Sequence, residues 1–138
     1  MRKRTLAREF ALQILYQIDI TQDNYDVSLA NFWQAHSQEH IEESIRDFTG
    51  ELVRGIVQNL GKIDSKIVQY ATNWQLRRMA VVDRNILRMS CFELMFRNDI
   101  PPKVSINEAV ELAKRYSGIE AGKFVNAILD KIKQEMNK

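Results

Sequence analysis

Apolar side chains recur along this chain every three or four positions and almost nowhere every two. At about 100° per residue, Leu6, Ala7, Phe10, Ala11, Ile14, Leu15 and Ile18 fall on one broad stripe. This predicts a first helix with that stripe against the core. Arg4 and Arg8, four apart, lie along one edge of the stripe. Leu12 and Tyr16, also four apart, are expected on the side away from it. A stacked apolar pair on an outer face is either a contact patch for a partner or a second layer of packing within the chain.

TQDNY at 21–25 breaks the pattern, and a short helix is expected over 28–35. The polar, acidic HSQEHIEES then reads as a loop or a frayed helix start. The ladder Ile45, Phe48, Leu52, Ile56, Leu60 predicts a long helix stopped near Gly61, and Ile63, Ile67 and Tyr70 mark a fourth. A short helical turn containing Trp74 is expected over 73–79. The segment 82–97 opens with Asp83, Arg84 and Arg88 and then turns apolar on nearly every side, as a central, buried helix must. NDIPPKV reads as an extended connector, because Pro101 and Pro102 both resist helix. Ser105 and Glu108 have the spacing of a capping box, with Ile106, Ala109, Val110 and Ala113 facing inward behind it. Ser117-Gly118 ends that helix, and Phe124, Val125, Ile128, Leu129 and Ile132 define the last.

About seven helices and no strand make this an all-α chain. Only two prolines and five glycines agree with long helices. A length of 138 residues predicts one domain, 1–138, with a single sizeable core.

Composition adds little until charge is mapped along the chain. The 45% hydrophobic and 28% charged residues are ordinary for a soluble protein. The single Cys91 rules out an internal disulfide, suits a reducing cytosol and falls where a small core residue is expected. No apolar run approaches the ~18 residues of a membrane span. Arg8, Glu9 and Gln13 interrupt what would be the apolar stretch of a signal peptide. A cytoplasmic protein is expected. The net charge of +2 hides a strong asymmetry. Residues 1–18 hold four basic side chains and one acidic, residues 19–51 one basic and eight acidic, and residues 77–138 twelve basic and eight acidic. A basic end of this kind can face a polyanion, or serve solubility alone.

Candidate chemistry is sparse. His36-Ser-Gln-Glu39-His40 matches H-x-x-E-H, a zinc-hydrolase pattern, but it sits in the most acidic and least periodic stretch, with no apolar wall to shield a metal. No glycine-rich phosphate loop, nucleophile elbow or supported Cys–His pair occurs. No enzyme activity, metal or cofactor is expected. The second basic cluster, AKRYSGIEAGKF, sets Lys114 and Arg115 near a helix end, followed by Tyr116, Lys123 and Phe124. Cations beside aromatic rings at a helix junction suit single-stranded nucleic acid. Equally, Arg115 can pair with Glu111, and both rings can be core.

Three stretches together carry a resemblance that spans essentially the whole chain: RTLAREFALQILYQ, WQLRRMAVVDRNILRMSCFEL and IPPKVSINEAVELAKRYSGIEAGKFVNAILDKI. In that order and spacing the sequence resembles the NusB family of bacterial transcription antitermination factors. The resemblance implies an all-α fold of two small helical bundles set across one another. It implies binding of the boxA element of nascent RNA together with NusE, a small-subunit ribosomal protein. In the RNA polymerase antitermination complex this supports read-through of terminators, notably on ribosomal-RNA operons, with no chemistry performed. The family's basic opening matches Lys3, Arg4 and Arg8, with Thr5 and Leu6 where some relatives carry arginine. Its second RNA surface falls on Lys114, Arg115, Tyr116, Glu120, Lys123 and Phe124. Its NusE contact falls on Tyr16 and Asp83, to which the helical wheel adds Leu12; Arg77 stands where some relatives have an acid. The family occurs as monomers and as homodimers. A helical protein–protein adaptor without nucleic acid is the alternative. A NusB-like domain fused to a ribosomal-RNA cytosine methyltransferase would need a cofactor-binding α/β domain, which these residues do not contain.

Overall fold

The three-to-four-residue periodicity is realised as helix throughout. In the computed structural model, which describes residues 2–71 and 75–138, the elements are α1 (Lys3–Thr21), α2 (Tyr25–Ala35), α3 (Glu43–Gln58), α4 (Leu60–Tyr70), a single 3-10 turn (Leu76–Arg78), α5 (Val81–Phe96), α6 (Pro102–Tyr116) and α7 (Ile119–Glu135). No strand occurs among the described residues. Asn73 and Trp74, expected in the helical turn, lie outside them. The helices divide into two compact units, α1 to α3 ending at Gln58 and α4 to α7 beginning at Asn59.

In the first unit α1 packs on both α2 and α3. Ala7, Phe10, Ala11, Ile14 and Leu15 are buried as the stripe requires, with Leu52, Val53 and Ile56 of α3 and Leu29 and Phe32 of α2 completing the core. Two helices cover α1, so its buried arc is wider than one stripe. Leu12 is therefore only 4% exposed, which corrects the expectation that it faces outward. Thr49 ties α3 to α1: its hydroxyl donates to the Ile45 carbonyl at 2.8 Å and lies 3.3 Å from that of Ala7. Asn24 opens α2 earlier than expected, its side chain accepting from the Asp26 amide at 2.8 Å.

In the second unit α5 is the central element, packed on α4, α6 and α7. Ten consecutive residues, Asn85 to Leu94, are all buried. The polar ones have partners, as burial demands. Arg88 makes a bidentate pair with Asp64 of α4, Nε to Oδ1 at 2.8 Å and Nη2 to Oδ2 at 2.9 Å. Asn85 Oδ1 accepts from Arg88 Nη1 at 3.3 Å. Ser90 Oγ donates to the Ser105 carbonyl at 3.1 Å, and Ser105 Oγ donates to Glu93 Oε1 at 2.6 Å. Cys91 lies in the same interior, and burial pushes its thiol up to about 12.

Two boundaries differ from expectation. The third helix stops at Asn59, not Gly61, which lies inside α4. The sixth helix begins four residues early, with Pro101 and not Ser105 at its N-cap. Pro102 takes its first position, where a missing amide costs nothing and the fixed φ already suits helix. The Pro101 carbonyl accepts from the Val104 amide at 2.9 Å. Ser105 is thus no N-cap. Its hydroxyl serves Glu93 instead.

Ser105→Ala is expected to lower unfolding free energy by about 1–3 kcal/mol, since it strips a donor from a dry carboxylate. Urea denaturation measures this, and Glu93→Gln, which keeps an acceptor, is expected to cost less than Glu93→Ala. A Ser105→Ala loss under ~0.3 kcal/mol would show that the hydroxyl does not bear on Glu93.

Candidate nucleic-acid interface

Helix α1 starts in an unusual way. No acid stands in its first turn, where Lys3 and Arg4 stand instead, and the Arg2 side chain makes no cap. Free amides give a helix start a partial positive charge, so cations there act against the helix, whereas an external anion relieves the strain. Lys3 and Arg4 are exposed. The Lys3 ammonium reaches Glu42, just before α3, at 2.8 Å. It holds the Glu42 carboxyl below its usual value, through the hydrogen bond first and charge attraction second. A lowered carboxylate pKa means the pair is intact at neutral pH and fails as pH falls through that lowered value.

The two arginines share one aromatic ring. Arg4 Cζ lies 4.4 Å from the centroid of Phe48, and Arg8 Cζ lies 5.4 Å from it. Phe48 is buried on α3, and beside it runs a groove of about 300 Å³ lined by Lys3, Arg4, Ser44, Asp47, Phe48 and Glu51. The fates of the arginines differ. Arg4 is exposed, but Arg8, expected beside it along the edge of the stripe, is 3% exposed. One helical turn carries Arg8 down from the open edge onto the ring.

The second face belongs to α6 and α7. Lys114, Arg115 and Tyr116 occupy the last turn of α6, and all three are exposed. Gly118, at φ 111°, turns the chain into α7 with a backbone that a side chain would strain. Glu120 and Lys123 follow, both exposed, with Phe124 half-buried. Lys114 pairs with Glu111 at 3.6 Å and Lys123 with Glu120 at 3.5 Å. Within this unit a hollow of about 280 Å³ is lined by Arg78, Met79, Asp83, Ser117, Glu120 and Phe124. Ser117 Oγ donates to Asp83 Oδ1 at 2.6 Å. Asp83, expected to meet a protein, therefore shares its hollow with Glu120 and Phe124, expected to meet RNA. Arg78 was not singled out in the sequence and Ser117 only as a helix end, because no local pattern marks two such distant positions as neighbours.

On the outer side of α1 the exposed pair is Tyr16 with Ile20, at 44% and 61%. Ile20 takes the place expected of Leu12. The H-x-x-E-H stretch is also placed. The His36 ring lies 4.3 Å from that of Phe32 and bonds to Glu39. No group of three His, Cys, Asp or Glu side chains among the described residues could hold a metal.

A family model for the NusB family matches residues 5–134. The chain belongs to the NusB family. It is 49% identical over 130 residues to the transcription antitermination protein NusB of Anaeromyxobacter dehalogenans (strain 2CP-1), covering 94% of this chain and 89% of that one. A solved NusB of T. maritima superposes with a TM-score of 0.86 at 37% identity, over 96% of this chain and 91% of its own. A solved complex of antitermination factors NusB and NusE with dsRNA contains a chain that matches with a TM-score of 0.87 at 29% identity, over 98% of both. No described helix is long and apolar enough to cross a membrane.

Because Arg8 is buried and Arg4 is not, their substitutions are expected to separate. Arg8→Ala loses packing along its stem as well as charge and should cost roughly 1.5–3 kcal/mol in denaturant unfolding. Arg4→Ala should cost under ~1 kcal/mol. Equal costs would contradict the difference in burial.

Proposed function

We propose that this chain is a transcription antitermination factor that acts by binding, with no chemistry of its own. It takes the boxA element of a transcript together with NusE and supports processive transcription of ribosomal-RNA operons as part of the RNA polymerase antitermination complex, in the cytoplasm. The observation that carries this reading is the near-complete match to a NusB solved with NusE and RNA. The cation-first start of α1 supports it, because that arrangement costs helix stability and an RNA phosphate repays it.

In this reading Lys3 and Arg4 meet phosphate directly, with Arg8 behind them. Lys114, Arg115 and Lys123 supply charge on the second unit, and Tyr116 and Phe124 offer ring faces to unstacked bases. Glu120 accepts from base amino groups, as carboxylates do with cytosine. Asp83, which lines the hollow beside this surface, belongs to the NusE contact. Tyr16, with Ile20 above it, grips NusE. The 138 residues work as one RNA-binding domain, with charge from both units counted in the same complex.

Affinity for boxA RNA should fall with salt, with a log–log slope near −0.7 per phosphate neutralised on a single strand. Arg4→Gln and the double change Lys114→Gln/Arg115→Gln should each make that slope shallower. Gel shifts with boxA and scrambled RNA, with and without NusE, measure it. A slope indifferent to either set would remove that unit from the RNA surface. Tyr16→Ala is expected to weaken NusE capture at least tenfold in a pull-down while leaving RNA-only affinity within about twofold, because a buried aromatic anchor dominates such contacts.

A further inference from the structure

Both arginines near the start of α1 lean on one ring of another helix, although an exposed arginine needs no such support to stay in water. We infer that Phe48 is a positioning residue for RNA binding, holding the Arg4 guanidinium flat so that its N–H edge is presented to phosphate. The inference rests on the reading of α1 as an RNA contact.

The geometry makes the case. Arg4 Cζ stands 4.4 Å from the ring centroid, within the range of a face-on cation–π contact. A guanidinium whose face is occupied by a ring still has all five N–H donors in its plane, pointing away from the ring and outward. That is the fork which matches two phosphate oxygens at once. Without the ring, Arg4 is a long side chain on a first helical turn and must lose its rotamer freedom when RNA arrives. With it, part of that loss is already met in the free protein.

Phe48 itself is 4% exposed, so its position is set by the core of the first unit and not by the arginine. Arg8, buried and 5.4 Å from the same centroid, stands over the ring from the next turn of α1. Asp47 and Glu51 line the same groove. A phosphate arriving here competes with these carboxylates for the guanidinium edge, and exposed carboxylate pairs are weak enough to be exchanged.

A lysine at position 4 keeps the charge but has no plane to stack and no fork. Arg4→Lys is therefore expected to weaken boxA RNA binding about three- to tenfold with an unchanged melting temperature, and Arg4→Gln to weaken it further. In a Phe48→Leu background, which keeps apolar bulk but removes the ring, Arg4→Lys should cost less than twofold more. Arg4→Lys binding as wild type, or the two losses multiplying in full, would overturn the inference while Arg4→Gln still marked an RNA contact. An unchanged affinity in Arg4→Gln would remove the RNA contact itself and the inference with it. Should Phe48→Leu fold poorly, Phe48→Met replaces it in the same cycle as a second ring-free side chain of similar bulk.

Discussion

A helix that is buried on every side has to answer for each polar group it carries, and α5 sets that requirement for the second unit. Arg88, Asn85, Ser90 and Glu93 lie within a run of ten buried residues, yet each reaches a partner on α4, on α6 or within α5 itself. An unpaired charge in such a place costs several kcal/mol, of the order of a small protein's whole stability. Breaking any one pair leaves its partner buried and unsatisfied, so the pairs hold α4 and α6 in place on α5. The second basic face depends on that placement, because Asp83, Ser117 and Phe124 come to one hollow only when α5, α6 and α7 are in register.

The first unit solves a different problem with the same economy. Cations at a helix start are unfavourable, and they are tolerated here because α3 supplies an aromatic face beneath the guanidinium groups and carboxylates around the rim. Glu42 neutralises Lys3 through an exposed pair, which is weak enough to be given up to a stronger anion. The arrangement is stable without ligand and still available to one.

Much of this was legible in the sequence. The stripe on α1, the ladder on α3, the all-apolar α5 and the last helix all follow from period, and the resemblance pointed to both basic clusters. What failed did so for identifiable reasons. Leu12 was misplaced because periodicity reports one buried stripe, whereas two helices cover α1. Ser105 had the spacing of a cap, but Pro102 upstream had already begun the helix, and only the fold reveals the buried Glu93 that claims its hydroxyl. Leu60 continued the ladder four residues after Ile56 and so hid the break at Asn59, since one lost residue of helix barely shifts the pattern. Arg8 and Phe48 are forty residues apart in sequence, and no local rule relates them. Asn73 and Trp74 lie outside the described residues and test nothing.

Cys91 carries a consequence of its own. A thiol sealed within the second unit and held near pKa 12 has almost no thiolate at neutral pH, and thiolate is the form that oxidants attack. The single cysteine is therefore poorly reactive where it lies. Oxidation at this position is thereby closed off as a way of disturbing the second unit's interior.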